Sequence, residues 1–443
     1  MLKTFSKGGI HPPEAKLSAS AAISVLPLPK EVYIPISQHI GAPSEPVVAK
    51  GDKVLVGDLI AKSTGFVSAS IHSSVSGIVE GIETVVDASG YPRTVVKIAV
   101  EGDDWQPSID RSPDFTNAKG LSSRDVLDGI IAAGIVGLGG ATFPSHVKLT
   151  VPEGKRVDAL IINGVECEPY LTSDHRLMVE KGREVLAGVE VLMTALGVSK
   201  AYIGIENNKK DAISHLSSLA KEFENIEVVP LKVKYPQGGE KQLIKAVINR
   251  EVPSGGLPID VGAVVHNVGT AFAVYEAIAK RKPLVERVVT VTGKSVKEPK
   301  NLLVRIGTPV SALIDAVGGL PEDTGKVISG GPMMGKALSN LSAPVTKGTS
   351  GILVMPESMA SRPAASVCIR CSKCVGVCPM GMEPYLLYKL ASRNLTERLE
   401  QERVMDCMEC GSCSYGCPAN LPLLDYVRLG KAEVGKMIRA RKK

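Results

Sequence analysis

The sequence predicts a multidomain α/β protein, and three observations predict it. At 443 residues the chain is too long for a single hydrophobic core. Between residues 122 and 280, segments with strand and helix periodicity alternate, the pattern of right-handed parallel crossovers. Eight of the nine cysteines crowd into the last 76 residues, as two copies of one spaced motif.

Composition narrows the class. Hydrophobic residues make up 44% and charged residues 22%, as in ordinary globular proteins, which excludes full disorder. No run of ~20 apolar residues occurs, so no membrane-spanning segment is expected. The opening Met1-Leu-Lys-Thr-Phe has no apolar core, so no secretory signal is expected, and paired disulfides are not expected either. The net charge of +6 is concentrated in one place. Residues 428–443 hold seven basic side chains and one acid, which is the whole excess. That is not the broad basic face of a nucleic-acid binder, and aromatic residues at 4% offer little base stacking, so no nucleic-acid partner is expected. The end of the chain, 431–443, is expected to be a basic tail, either a helix or a solvated end. If it functions, it docks a partner subunit or anionic headgroups.

Residues 1–115 are expected to form an N-terminal arm and a small β domain. Residues 1–30 carry Gly8-Gly9 and His11-Pro12-Pro13 and read as extended. Strand signals follow at 32–34, 54–56, 77–79 and 94–100. The Gly-punctuated stretch 48–61, together with 71–77, resembles the barrel-sandwich fold of biotin and lipoyl carrier domains. Those domains present a modified Lys at a hairpin tip. Residues 68–77 contain no Lys, so a structural role is expected.

Residues 103–120, with Pro107, Pro113 and Gly120, read as a linker. An α/β domain is expected over 120–284. Helices are predicted at 122–133 (with a Ser cap), 176–196, 210–223, 239–249 and 270–280. Strands are predicted at 157–162, 201–205, 226–230 and 262–266. Ligands of such sheets sit at the carboxyl ends of the strands, which marks Asn163, Glu166, Glu168, Glu206, Asn207, Asn267 and Thr270. Residues 285–350 return to short strands, at 287–292 and 301–306, with one short helix at 311–317, and suggest a β-grasp-like module.

The final module, 360–430, carries the strongest motif. Cys368-x2-Cys371-x2-Cys374-x3-Cys378-Pro379 is repeated as Cys407-x2-Cys410-x2-Cys413-x3-Cys417-Pro418. This is the bacterial two-cluster ferredoxin spacing, in which the fourth cysteine of each run ligates the other cluster. Cys368, Cys371, Cys374 and Cys417 are therefore assigned to one [4Fe–4S] cluster. Cys407, Cys410, Cys413 and Cys378 are assigned to the second. A pair of zinc sites is the competing reading, but zinc knuckles rarely use three consecutive ligands plus x3-Cys-Pro. Leu386, Leu387, Leu390 and Ala391 at helical spacing favour an α-helical dicluster domain.

Gly137-Leu-Gly-Gly-Ala-Thr-Phe-Pro144 lets backbone N–H groups approach a phosphate or flat ring, although read alone it is weak evidence and a bland tight turn fits it better. The combination is more specific. That loop with Lys148, Asn163-Gly-Val-Glu-Cys-Glu-Pro169, Gly238-Gly-Glu-Lys-Gln-Leu243 and His266-Asn-Val-Gly-Thr270 resembles the NADH-binding flavoprotein subunit of respiratory complex I. Phe5-x-Gly-Gly-Ile-His-Pro12, Tyr235-Pro-Gln-Gly-Gly-Glu240, Ser329-Gly-Gly-Pro-Met-Met-Gly335 and the twin cysteine motifs resemble more closely the RnfC family, also called RsxC, of Rnf ion-translocating electron-transport complexes. The resemblance covers essentially the whole chain.

The resemblance implies a flavin-binding α/β domain and makes 285–345 the soluble-ligand-binding β-grasp module. It implies FMN held by Gly137, Gly139, Gly140, Lys148, Asn163, Glu166, Asn267 and Thr270. It implies NAD(H) received by Phe143, Glu168 and Glu240, with no catalytic side chain beyond hydride transfer on FMN. It implies an oxidoreductase subunit on the cytoplasmic side of the membrane. Its partners would be integral membrane subunits, an iron–sulfur subunit and, indirectly, ferredoxin. The chain departs from the complex I motif at Leu138, where that family has Arg, and at Val165, where it has Asp. These departures keep open an alternative, an adaptor with clusters and no working NADH site. Read alone, Asn163 and Asn267 are equally caps of the loops after their strands, Glu166 and Glu168 solvated loop acids, and Cys167 a free, partly buried thiol.

Overall fold

The computed structural model describes residues 2–118 and 120–441; Met1 and the Lys442-Lys443 end of the basic segment lie outside them. The arm is extended and carries one short strand, β1 (Ile23–Val25). Strands β2 (Glu31–Pro35), β3 (Glu45–Pro46), β4 (Lys53–Val54), β5 (Leu59–Lys62), β6 (Ile71–His72), β7 (Ser76–Val86) and β8 (Pro92–Gly102) follow. They make two small sheets, β2-β8-β7-β4 and β3-β5-β6. Alternation places Val32, Ile34, Val79, Val96 and Ile98 inside, with Ile60 and Ile71 facing them from the second sheet. Residues 68–77, where a carrier domain holds its modified Lys, are buried throughout. A swinging arm there has no room, which agrees with a structural role.

Helix α1 (Ser123–Ala132) starts at the predicted Ser122 cap, in a capping box with Asp125. It leads through the Gly-rich loop into α2 (Ser145–Leu149) and β9 (Ala159–Asn163). The predicted long helix at 176–196 is two helices, α3 (Ser173–Glu180) and α4 (Gly182–Leu196), with Lys181 in a non-helical conformation between them. Apolar periodicity runs through the break, but the end of α3 is held elsewhere. The Glu180 carboxylate accepts the Ile23 N–H of β1, so α3 turns toward the arm while α4 packs along the sheet. Then come β10 (Ala201–Glu206), α5 (Lys210–Leu219), β11 (Ile226–Leu231), α6 (Glu240–Ile248), β12 (Ala263–Asn267) and α7 (Val268–Ala279). The sheet order is β11-β10-β9-β12 and every pairing is parallel. The loops after β9, β10, β11 and β12 therefore converge at one edge.

The third unit contains β13 (Glu286–Thr292), β14 (Lys300–Arg305), α8 (Val310–Asp315), β15 (Thr324–Ser329), β16 (Lys336–Ala337) and β17 (Gly351–Pro356). Its sheet, β1-β14-β13-β17-β15-β16, recruits β1 from the arm beside β14. After α9 (Glu357–Ala360) comes the cysteine module: α10 (Lys373–Gly376), α11 (Pro384–Ala391), α12 (Thr396–Gln401), α13 (Ser412–Tyr415) and α14 (Leu423–Arg441). The expected helix at 386–391 lies in α11. The two cysteine motifs, offset by 39 residues from Cys368 to Cys407, repeat in backbone as well as sequence. Arg370 and Ser372 are left-handed, as are Glu409 and Gly411, and Gly381 matches Asn420. The basic segment is helical through Arg441, and much of its charge is paired. Arg428 and Lys431 both bind Glu409, Lys436 binds Glu433, and Arg441 binds Glu400.

Candidate cofactor sites

The carboxyl ends of β9 and β12 carry Asn163 and Asn267. The Asn163 Nδ2 donates to Gly238 O at 2.8 Å, tying the β9 and β11 loops together. Asn267 caps α7, its Oδ1 accepting the Gly269 N–H at 2.8 Å while its Nδ2 donates to the Asp174 carboxylate at 2.6 Å. Thr270 Oγ1 accepts the Leu138 N–H at 2.9 Å and so anchors the Gly-rich loop on α7. Gly137 N–H donates to Phe143 O at 2.9 Å and closes that loop. A Cβ on Gly139 would lie 2.7 Å from the Asn267 amide, so only glycine lets the loop rest there, whereas Gly140 faces open space. Leu138, where the complex I motif has Arg, is buried beside Gly269 at the start of α7.

The other expected contacts already have protein partners. Lys148 and Glu240, expected at the FMN phosphate and the dinucleotide, form one ion pair at 2.7 Å. Glu166 caps α3, accepting the N–H groups of Asp174 at 2.8 Å and His175 at 3.1 Å. Glu168 reaches instead under the 331–334 turn and accepts the Met333 and Met334 N–H groups at 3.1 and 2.8 Å. Burial pushes its carboxyl up to about 7. Asn163, Gly139, Asn267 and Thr270 thus cluster, while Glu168 sits toward the β-grasp unit.

Several residues here were not marked by the sequence. Lys16, from the arm, donates to the carbonyls of Glu166, Glu168 and Leu171 at 2.7 to 2.9 Å. Burial, then repulsion from Lys209, lowers its ammonium to about 8. Lys209 is buried and donates to Val165 O at 2.7 Å. Two cations thus hold the 165–171 loop from beneath. Asp174 is pushed up to about 7 by burial and by Glu166. Lys209 stands just past a strand end, where the carboxyl-end rule reaches; Lys16 carries no such signal.

The chemistry of this seat fits a flavin. It offers a glycine cradle against the Asn267 amide, with the loop anchored by the Leu138 N–H on Thr270. Burial holds His266, next to Asn267 in β12, neutral, lowered to about 3.

Cys378, Cys407, Cys410 and Cys413 line one small cavity with Met380, Met382, Leu387, Met408 and Leu424. Burial pushes the Cys407 and Cys413 thiols up to about 11 and about 12, so they need the charge of bound iron to become thiolates. Cys368, Cys374 and Cys417 share a second apolar cluster, and Cys371 is exposed. Among the described residues no three His, Cys, Asp or Glu side chains are drawn together tightly enough for a single metal ion. The four-thiol cavity is of the kind that suits a larger, apolar-walled group.

The inner cavity abuts the α/β domain. The Tyr235 hydroxyl donates to Cys410 O at 2.8 Å and contacts the Glu168 carboxyl. Gln242 donates to Pro379 O at 3.3 Å, and Asp406 binds Ser254 and the Gly255 N–H. The arm crosses the same junction. Gly9 N–H donates to Val377 O at 2.9 Å, and Ile10 and Tyr235 exchange both backbone hydrogen bonds. Gly8, at φ +60°, lies where a Cβ would collide with the Cys378 carbonyl.

Comparisons with known proteins follow the same division. Family profiles match the RnfC barrel sandwich hybrid domain over residues 4–104, the Nuo51 FMN-binding domain over 130–276, the SLBB domain over 288–337 and a 4Fe-4S dicluster domain over 362–418. A component of the proton-translocating ferredoxin:NAD(+) oxidoreductase complex of Clostridium ljungdahlii is 48% identical over 98% of this chain and 94% of its own. The chain belongs to the RnfC family. The corresponding component of the Na(+)-translocating ferredoxin:NAD(+) oxidoreductase complex of Acetobacterium woodii is 45% identical, over 97% of this chain and 96% of its own. A solved NAD+-reducing [NiFe]-hydrogenase in the H2-reduced state shares the fold. Its TM-score is 0.52 and its identity 18%, with 73% of this chain and 67% of that one covered. Among the described residues of this RnfC chain, no helix is long and apolar enough to cross a membrane.

Proposed function

We propose that this RnfC protein exchanges hydride between NAD(H) and FMN and passes single electrons through two [4Fe–4S] clusters to partner subunits, coupled to ferredoxin redox chemistry. It is an electron-transfer oxidoreductase subunit of an ion-translocating complex, peripheral and on the cytoplasmic side. When bound, FMN supplies the change from two-electron to one-electron chemistry. The protein supplies position. Gly137, Gly139 and Gly140 give close backbone approach, with Asn267 and Thr270 fixing their seat. Lys148 offers charge to a phosphate once its partner Glu240 turns to a ribose hydroxyl. Asn163 and Glu166 hold the floor, and Phe143 and Glu168 line the dinucleotide side. Cys378, Cys407, Cys410 and Cys413 hold one cluster; Cys368, Cys371, Cys374 and Cys417 hold the other.

The observation that carries this reading is contiguity. The glycine seat on Asn267, the Asn163–Gly238 bridge, Tyr235 and the four-thiol cavity form one continuous packed path. The adaptor alternative draws on Lys148, Glu166, Glu168 and Glu240 all being engaged by protein partners. Anaerobic purification followed by NADH addition separates the two. FMN released on denaturation, with bleaching of flavin and cluster absorbance by NADH, supports the enzyme. Cluster absorbance with no flavin and no NADH response supports the adaptor.

A further inference from the structure

The duplicated cysteine loops allow a position-by-position comparison. In the second copy, residues 406 to 411 are covered by the molecule's own body. Asp406 binds Ser254 and Gly255, Met408 packs with Ile10 and Tyr235, and Cys410 O accepts the Tyr235 hydroxyl. Glu409 is held by Arg428 and Lys431. The equivalents in the first copy are Val367, Ile369, Arg370 and Cys371. Val367 is 86% exposed and Ile369 68%, and Arg370, Cys371 and Lys373 are exposed too. Neither Arg370 nor Lys373 forms an ion pair among the described residues. No acid occurs from residue 361 to residue 382. Two large apolar side chains beside a cluster ligand, flanked by two cations with no ion pair among the described residues, form the uncovered twin of an interface that the chain makes with itself.

We infer that the face formed by Val367, Ile369, Arg370, Cys371 and Lys373 docks an acidic protein that carries one electron at a time and is where electrons leave this subunit. The inference rests on the reading of the two clusters given above. The second motif takes electrons from the α/β domain through its covered loop; the first hands them on through the same loop uncovered. One electron crosses the face per encounter. The outer cluster is oxidised by one electron and the partner's centre reduced by one, and no proton or bond moves. Apolar contact at Val367 and Ile369 brings the centres close, while Arg370 and Lys373 steer the acidic partner. The basic helix α14 is a weaker candidate, because Arg428, Lys431, Lys436 and Arg441 are already paired within the chain.

The test uses anaerobic holoprotein and an acidic [2Fe–2S] ferredoxin as the probe. The double variant Arg370→Glu, Lys373→Glu is compared with the parent. Iron content and NADH bleaching of both clusters should be unchanged. The second-order rate of probe reduction should fall about tenfold at low salt and lose its salt dependence. Ile369→Ser, a polar change at an exposed place, should weaken delivery without altering the salt slope. Parental rates and salt slope in the charge-reversed variant would overturn the inference. So would loss of sedimentation with phosphatidylglycerol vesicles at parental probe rates, which would make the face a lipid contact. Protein loaded by dithionite and then desalted is run alongside. If NADH fails to bleach the clusters but the loaded protein still reduces the probe through this face, the functional reading fails and the docking face stands.

Discussion

Cys410 and Cys371 hold the same place in two copies of one loop, yet Cys410 is buried against the α/β domain and Cys371 is exposed. Their neighbours differ in the same sense: Glu409 is clasped by two cations, whereas Arg370 has no ion pair among the described residues. Identical ligand spacing therefore does not give identical sites. What distinguishes them is what each loop is pressed against, and burial and hydrogen bonding are levers that tune a cluster's potential. A duplicated motif becomes directional once one copy is covered.

The sharpest test applies one substitution to both copies. Cys410→Ala and Cys371→Ala should each remove about half of the iron. Cys410→Ala should also stop NADH from bleaching the remaining cluster, whereas Cys371→Ala should leave the inner cluster reducible. Equal behaviour by electron paramagnetic resonance would erase the distinction. Next comes the arm. Gly8→Val adds a side chain at positive φ against the Cys378 carbonyl and should cost about 2–3 kcal/mol, read by denaturant unfolding, and slow cluster reduction but not flavin reduction.

Tyr235→Phe removes the donor to Cys410 O. It should cost about 1 kcal/mol and lower the potential of the inner cluster alone, measured by redox titration. Glu168 gives a pH effect. Its carboxyl titrates at about 7 in the folded chain against 4.5 ordinarily. The stability tied to that raised value is full below 4.5 and is lost as pH climbs through 7. Glu168→Gln should flatten the fall in Tm between pH ~5 and ~8. The smallest effect belongs to Arg428→Ala. Its ion pair with Glu409 is about a third exposed and should contribute no more than about 0.5 kcal/mol.

Legibility followed distance along the chain. Cluster ligands three residues apart are a local matter, so the motif announced itself. The strands of the parallel sheet showed as apolar runs, and their ends pointed to Asn163, Asn267 and Thr270. The break at Lys181 was hidden because its cause, the bond from Ile23 to Glu180, spans 157 residues. Lys16 under the 166–171 loop and Glu168 under Met333 are hidden for the same reason. Composition located the basic excess, but its pairing with Glu409 and Glu400 is tertiary.

The arm also imposes an order on assembly. Its pairings with Leu231 and Tyr235 become available once the α/β domain is synthesised, but the bond from Gly9 to Val377 must wait for the loop that ends in Cys378. The arm is thus fastened in two steps, first to the α/β domain and then over the loop that ends in Cys378. The arm thus straps the α/β domain to the inner cysteine loop, and a change in either is felt by both.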